Sequence, residues 1–264
     1  MRHYLLTTCK ASLATVILLF SASTSWSQSD WKNWNTAQLN LSFTHKLDLR
    51  LSHLRAFSIS NGYNSDFNQS SAFLGYAPTK KLDIGAGYTF GGSNSLTDGG
   101  SRVSFKLGYK IKLAGVLNWS NSIQGEIHSA SETRYHYRLI YSTRISPKKR
   151  LDFLNLSPSV SYSLFYNIGG DPIQYYDSKT GIPSVRQTPD GFHRGRLMFN
   201  LHSKVTKHFS LSAYYMRQKE FNLFAGEFRK MNITKPSGRI VRKFDNYHVV
   251  GLTLHYDIDL YSKK

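Results

Sequence analysis

The sequence contains a single cysteine, Cys9, in a chain of 264 residues. Cys9 precedes the one strongly apolar stretch of the chain, so it lies on the wrong side of that stretch for lipid attachment. If the N-terminal segment is cleaved, the remaining chain has no cysteine. This excludes a small fold that is held together by disulfide bonds. The stability of the folded chain must come from a source other than disulfides.

Long hydrophobic runs are also absent, and the mean hydropathy of −0.39 is too polar for helical membrane spans. The one apolar run, residues 11–20, is preceded by basic residues and followed by small ones, which is the layout of a secretory signal peptide. It is shorter than the roughly 20 residues that cross a bilayer as a helix. We expect residues 1–27 to be a cleaved signal peptide and residues 28–264 to form one domain, with a buried N-terminal helix as the alternative.

Acidic residues are scarce, with 16 Asp and Glu against 34 Lys and Arg. Loss of Arg2 and Lys10 with the signal peptide leaves 34 − 2 = 32 basic residues and a net charge of 32 − 16 = +16. A charge this positive indicates partners that carry phosphate. Export argues against nucleic acid, and the chain has no zinc-finger spacing, helical basic region or RNP-like motif. Phospholipid and lipopolysaccharide remain as expected partners.

A short basic turn followed by an apolar–polar–apolar triplet recurs four times. The triplets begin at Leu47, Leu82, Leu151 and Phe209, with separations of 82 − 47 = 35, 151 − 82 = 69 and 209 − 151 = 58 residues. A unit of this size fits two strands joined by a tight turn and a looser loop. The pattern predicts a meander of antiparallel hairpins that closes on itself.

Between the turns, apolar and polar residues alternate with period two, as Val103, Phe105 and Leu107 do. The strands would be roughly nine to thirteen residues long, which suits a tilted bilayer crossing. Aromatic residues such as Tyr88 and Phe90 crowd the ends of the apolar face, as in an interfacial girdle. We therefore predict an all-β protein, an antiparallel up-and-down transmembrane β-barrel of about 10–12 strands in the bacterial outer membrane. A secreted soluble β-sheet protein is the alternative, because alternation alone does not distinguish the two.

Four short segments of the sequence are similar to those of a known family. They are residues 134–139 (RYHYRL), 194–197 (RGRL), 211–218 (LSAYYMRQ) and 248–254 (HVVGLTL). They resemble an uncharacterised outer-membrane β-barrel family of Bacteroidota, a domain of unknown function. The resemblance implies a fold, a location and the barrel assembly machinery as a partner, but no activity.

The turns and loops read from the sequence do not decide how many strands the barrel has. Ten strands follow from Leu47 to the C-terminus, which places both of their ends at the short, periplasmic turns. Residues 35–43 add an eleventh apolar–polar segment. It would either pair with a hidden strand within residues 221–228, giving twelve, or enter the barrel as a plug.

No residues close in sequence predict an active site. His208 and Ser210 have a spacing used by some lipid hydrolases but lie at a short turn, while His128 and Ser129 are adjacent and so face opposite sides of a strand. The acidic residues of the loop at 169–181 lack the spacing of an EF-hand. We therefore expect no metal, no cofactor and no enzymatic activity.

Two groups of basic residues are the candidate sites. The first lines the predicted lumen and comprises Arg50, Arg102, Lys106, Arg134, Arg138, Arg194 and Arg196. The second lies in the last long loop, as a candidate site for lipopolysaccharide phosphates, and comprises Arg229, Lys230, Lys235, Arg239, Arg242 and Lys243. For the loop, plain solvated charge is the alternative.

The expected function is that of an integral outer-membrane barrel with a narrow cationic lumen, acting as a structural protein, an anion-favouring pore or a surface-binding protein. The alternatives are a lipid-modifying outer-membrane enzyme and a soluble secreted binding protein.

Overall fold

The computed structural model describes residues 30–60, 62–92 and 100–261. The predicted signal peptide, residues 1–27, lies outside these ranges. Across them, no helix combines the length and apolar character needed to cross a membrane. The strands are β1 (Asp30–Ser42), β2 (Leu47–Ser58), β3 (Asn64–Tyr76), β4 (Leu82–Gly92), β5 (Gly100–Leu113), β6 (Leu117–His128), β7 (Tyr137–Pro147), β8 (Leu156–Ile168), β9 (Ile173–Tyr176), β10 (Pro183–Gln187), β11 (Gly191–Lys204), β12 (Phe209–Leu223), β13 (Ile233–Thr234), β14 (Ile240–Val241) and β15 (Tyr247–Asp259).

Eleven of these strands form a closed barrel in the order β1-β15-β12-β11-β8-β7-β6-β5-β4-β3-β2. The prediction of an all-β barrel of about 10–12 strands is confirmed. Strands β9 with β10 and β13 with β14 form two small hairpins within the last two long connections. We call the end of the barrel that carries these hairpins the loop end and the opposite end the short-turn end.

The first strand closes the barrel in a way that the sequence did not predict. β1 pairs antiparallel with β2 and parallel with the last strand, β15, in register from Asp30 opposite Tyr247 to Ser42 opposite Asp259. Both arrangements considered for residues 35–43 are therefore wrong. The segment is neither a plug nor the partner of residues 221–228, whose first three residues end β12. With an odd number of alternating strands, the first and last run in the same direction, so the closing pair has to be parallel.

Three of the four recurring basic turns share a hydroxyl at the same position. Thr44, Thr79 and Thr206 each accept hydrogen bonds from the backbone amides two and three residues further along, at 3.0–3.3 Å. This local bonding satisfies amides that the strand ladder leaves unpaired at the turn. It accounts for three of the four repeats seen in the sequence.

The outer wall of the barrel is apolar and the inner wall is polar. Phe105 is 58% exposed and Leu107 52%, whereas Ser104, the residue before Phe105, is 5% exposed. The barrel thus turns its apolar side chains outward, the reverse of a soluble β-sandwich.

Glycines let large side chains lie flat against the inner wall. A Cβ atom at Gly87 would approach the Phe73 ring to 2.5 Å, and one at Gly251 would strike Tyr214. Close approach of backbone to ring is what only glycine permits. At the loop end, Met216, Tyr247 and Val249 form a small buried cluster inside the barrel, with Trp34 packed against it.

Candidate functional site: the lumen and its loop end

A cavity of about 600 Å³ occupies the middle of the barrel. Four arginines and one carboxylate line it: Arg102, Arg138, Arg144, Arg196 and Glu126. Serine hydroxyls fill the wall between them, at Ser142, Ser159, Ser161, Ser163 and Ser212. Guanidinium groups and hydroxyls both donate hydrogen bonds, so the lining suits an oxyanion.

Neighbouring strands place these donors side by side. In the β7–β8 register Arg144 lies opposite Ser161, and Ser142 lies opposite Ser163 with their hydroxyls 2.7 Å apart. On the other side, Ser163 lies opposite Arg196 of β11. Residues opposite each other share one face of the sheet, so the donors converge on the cavity.

Glu126 is the centre of one ionic cluster at the loop end of the cavity. Its carboxylate accepts two hydrogen bonds from Arg138, at 2.9 and 2.5 Å, and lies 3.5 Å from Arg102 and 3.1 Å from His128. Gln124 donates a further hydrogen bond at 2.9 Å. Glu126 is 4% exposed and Arg138 7%. A buried carboxylate with this many donors is held as the anion that neutralises them.

Glu220 is the centre of a second cluster that reaches into the loops. It accepts two hydrogen bonds from Arg194, at 3.0 and 2.5 Å, and lies 3.7 Å from Arg134. Its second oxygen accepts the backbone amide of Asp245 at 2.8 Å. The last long loop is thereby tied to β11 and β12.

Aromatic rings fill the space between the two ionic clusters. The Arg138 guanidinium lies 4.8 Å from the centre of the Tyr135 ring and 5.2 Å from that of Phe165. Arg196 lies 5.0 Å from the Phe165 ring and bonds Gln218 at 2.8 Å, with no carboxylate partner among the described residues. Guanidinium groups over ring faces are favourable when desolvated. Together these buried groups occupy the lumen at its loop end.

The short-turn end of the lumen is wetter. Asp83 lies 3.9 Å from Lys106 and 3.2 Å from Lys110, and these side chains are 25–57% exposed. Within the described residues, Arg50 and Arg144 form no ion pair. Their guanidinium groups therefore face the lumen unpaired.

Six of the seven basic residues that the sequence predicts to line the lumen lie on the inner wall. One predicted residue lies elsewhere, and one arginine of the inner wall was not predicted. Arg50, Arg102, Lys106, Arg138, Arg194 and Arg196 lie on strands that line the lumen. Arg134 lies in the connection between β6 and β7, from which it reaches Glu220. Arg144 was missed, although its even spacing from Arg138 along β7 places it on the same face.

The six basic residues of the last loop differ in whether their side chains bond to other residues. Arg242 is engaged, because its guanidinium donates to the Thr133 carbonyl at 2.7 Å and to the Asp171 carbonyl at 3.4 Å. The side chains of Arg229, Lys230, Lys235, Arg239 and Lys243 make no hydrogen bond or ion pair with other described residues. Lys235 and Arg239 flank the turn of the β13–β14 hairpin, where the Lys235 amide donates to the Arg239 carbonyl at 2.9 Å.

Tyr175 joins the two hairpin-bearing loops. Its hydroxyl donates to the Lys230 carbonyl at 2.8 Å, and its ring meets Phe228 edge-on at 5.9 Å. Burial, together with the negative charge of Asp190, raises the pKa of Tyr175 to about 12. The hydroxyl therefore remains a donor throughout the physiological pH range.

The residues weighed as catalytic or calcium-binding pairs are not brought together. His208 bonds the Asp257 carbonyl at 2.9 Å in an exposed turn, while Ser210 is buried inside the barrel. His128 turns to Glu126, and Ser129 turns to Ser131.

Asp177 of the 169–181 loop bonds within its own turn. It accepts hydrogen bonds from Thr180 and Lys179, which hold its pKa below the usual range. In the described part of the chain, no group of three or more His, Cys, Asp or Glu side chains could hold a metal ion.

The fold and the lining define a class of protein, a closed β-barrel with an apolar outer wall and a charged, polar interior. Residues 31–225 match the family described as a protein of unknown function, DUF2490, and the chain belongs to that family. The predicted membership of a family of unknown function is confirmed; the link to Bacteroidota and the outer membrane stays a prediction. No curated protein matches the chain.

Proposed function

We propose that the protein is an integral outer-membrane β-barrel whose cationic lumen receives small anions. The single observation that carries the proposal is the charge around the central cavity, where four arginines face one carboxylate. The apolar outer wall supports placement in a membrane, because exposed apolar surface of this extent is unfavourable in water. The lumen is proposed to act by binding and not by catalysis.

The buried clusters around Glu126 and Glu220 support a lumen that is narrow at the loop end. The exposed charges at the short-turn end support entry from that side. Such a barrel takes up small oxyanions from the short-turn end, and passage through the loop end requires the ionic clusters to rearrange.

Arg144 provides the test of anion preference. Reversal potentials of the wild-type barrel in a salt gradient across a planar bilayer should show preference for anions, because uncompensated arginines favour them. Arg144→Glu should lower the anion-to-cation permeability ratio by roughly twofold or more, since one luminal charge is reversed. Lys235→Glu carries the same charge change in a loop and should leave the ratio unchanged. Clear cation preference of the wild type would contradict the proposal.

A second candidate function, binding of lipopolysaccharide at the cell surface, is favoured by the unpaired basic side chains of the last loop. Several cations that converge on a multivalent phosphate form a network that dilute salt screens only in part. We propose outer-membrane lipids as the partners of this loop, with insertion through the barrel assembly machinery.

Replacing Lys230, Lys235 and Arg239 together by serine should weaken co-purification of lipopolysaccharide without lowering the melting temperature. Arg242 is left intact, because it holds the loop to Thr133 and Asp171. The control changes Lys46, Lys80 and Lys81 of the short-turn end to serine and should retain the lipid. Equal retention of lipopolysaccharide by both variants would leave the loop as a solvated basic surface.

A further inference from the structure

The outer wall carries a polar pair at the edge of its apolar surface, with further polar side chains on the side of the loop end. His53 of β2 lies directly opposite Ser70 of β3, and the imidazole Nδ1 is 2.8 Å from the hydroxyl Oγ. The next outward pair toward the short-turn end is Leu51 opposite Ala72, so both polar side chains point away from the lumen. A hydroxyl within hydrogen-bond reach of an imidazole, beside an apolar surface, has the geometry of a nucleophile and its base.

An open groove of about 610 Å³ runs across the outer wall beside this pair. Its lining includes the small side chains of Ala37 and Ala72 and the larger ones of Tyr88, Leu254 and Tyr256. The outward-facing lining is apolar apart from His53 and Ser70. A groove of this chemistry fits a hydrocarbon chain and brings the atoms at the end of that chain to the hydroxyl.

Two further donors lie one step toward the loop end. Arg55 is opposite Asn68 in the same β2–β3 register, two residues beyond the His53–Ser70 pair on the same face. The Arg55 guanidinium lies 5.4 Å from the Phe57 ring, and neither Arg55 nor Asn68 donates a side-chain hydrogen bond to another described residue. Donors placed beside a nucleophile can stabilise negative charge on a carbonyl oxygen.

We propose that Ser70 and His53 are the nucleophile and the base of an ester-hydrolysing site on the outer wall. Its substrate is the ester-linked acyl chain of a membrane lipid, a chemistry that phospholipid and lipopolysaccharide share. This activity goes beyond the proposed role of the lumen and rests on the proposed membrane placement only for access to its lipid substrate. It also departs from the expectation, drawn from the sequence, that the protein is not an enzyme.

The reaction needs only water as a second reactant. Ser70 Oγ bonds to the acyl carbon while its proton passes to His53 Nδ1, and Asn68 and Arg55 stabilise the oxyanion. The bond to the alcohol oxygen breaks, and that oxygen takes the proton from His53. Water then loses a proton to His53 and bonds to the acyl carbon, Ser70 Oγ leaves with that proton, and a fatty acid is released.

The test uses the full chain folded in detergent micelles, with heat-modifiable migration as the measure of folding. A fluorophosphonate probe should label Ser70, and a short-chain nitrophenyl ester, phosphatidylethanolamine micelles and lipopolysaccharide are the substrates. Ser70→Ala should abolish labelling and hydrolysis, and His53→Gln should lower hydrolysis by about 100-fold or more. Ser71→Ala is the matched control, because Ser71 is the next residue, faces the lumen and bonds Ser52 at 2.6 Å.

The outcomes separate this site from the function of the lumen. Hydrolysis of the short ester by folded protein supports the pair whether or not the barrel inserts into vesicles, which sedimentation measures independently. Loss of activity on phosphatidylethanolamine or on lipopolysaccharide in Ser70→Ala identifies which of them is the substrate. Folded protein that neither reacts with the probe nor hydrolyses any substrate would overturn the proposal, as would a Ser70→Ala variant as active as the wild type.

Discussion

Arginine in place of Leu107 should strongly reduce insertion of the barrel into membranes. Leu107 lies in the middle of β5 on the outer wall and is 52% exposed. If that wall faces acyl chains, an arginine near the bilayer midplane costs about 2–4 kcal/mol. The measurement is the fraction of protein that migrates in the folded, heat-modifiable form after mixing with phospholipid vesicles. We expect it to fall several-fold.

The control places the same side chain on the inner wall. Ser161 lines the central cavity on β8, so Ser161→Arg adds a charge where water has access, and insertion should be close to that of the wild type. Ser104, although inward-facing, is a poorer control because it is buried and its hydroxyl lies 3.4 Å from the Gly87 carbonyl. Equal yields for Leu107→Arg and Ser161→Arg would contradict a lipid-facing outer wall.

Loss of the Glu126 charge should produce the largest change in stability. Glu126→Gln keeps the shape of the side chain but leaves Arg138 and Arg102 without their buried counterion. Removing one partner of a buried ion pair typically costs about 3–5 kcal/mol. We expect the midpoint of unfolding in urea, followed by heat-modifiable migration, to fall accordingly.

Two further variants separate the charge effect from general damage. Glu227→Gln removes an exposed carboxylate and should change the midpoint little. Adding Arg138→Met to Glu126→Gln should recover much of the loss, because it removes one of the uncompensated cations. If Glu126→Gln were as stable as Glu227→Gln, the ionic cluster around Glu126 would not stabilise the barrel.

The sequence could predict which side chains point outward, because this depends on the local alternation of apolar and polar residues. Alternation at Val103, Phe105 and Leu107 placed these residues outward, as the structure has them. The same rule would have found Arg144. It could not place Arg134 correctly, because Arg134 lies in a loop where the period does not apply.

Pairing between strands could not be predicted in the same way. His53 and Ser70 meet because of the register between β2 and β3, which is irregular between Ala56 and Phe57, and inspection of near neighbours in sequence does not reveal it. The parallel pairing of β1 with β15 likewise has no local signal. The ionic clusters around Glu126 and Glu220 depend on such distant contacts, so the charges were visible in the sequence and their neutralisation was not.

The parallel seam between β1 and β15 also has a kinetic consequence. Paired residues such as Asp30 and Tyr247 are 247 − 30 = 217 positions apart, whereas Ser58 and Asn64, at the loop end of the β2–β3 hairpin, are 64 − 58 = 6 positions apart. We expect contacts so distant in sequence to form late in folding, because bringing the two ends of the chain together lowers its conformational entropy. We expect a chain whose seam has not formed to expose two unpaired strand edges, which are prone to aggregate or to pair with another copy. The hydrogen bond that the Asn40 side chain donates to the Asp257 carboxylate, at 2.6 Å, then stabilises the two edges in their final register.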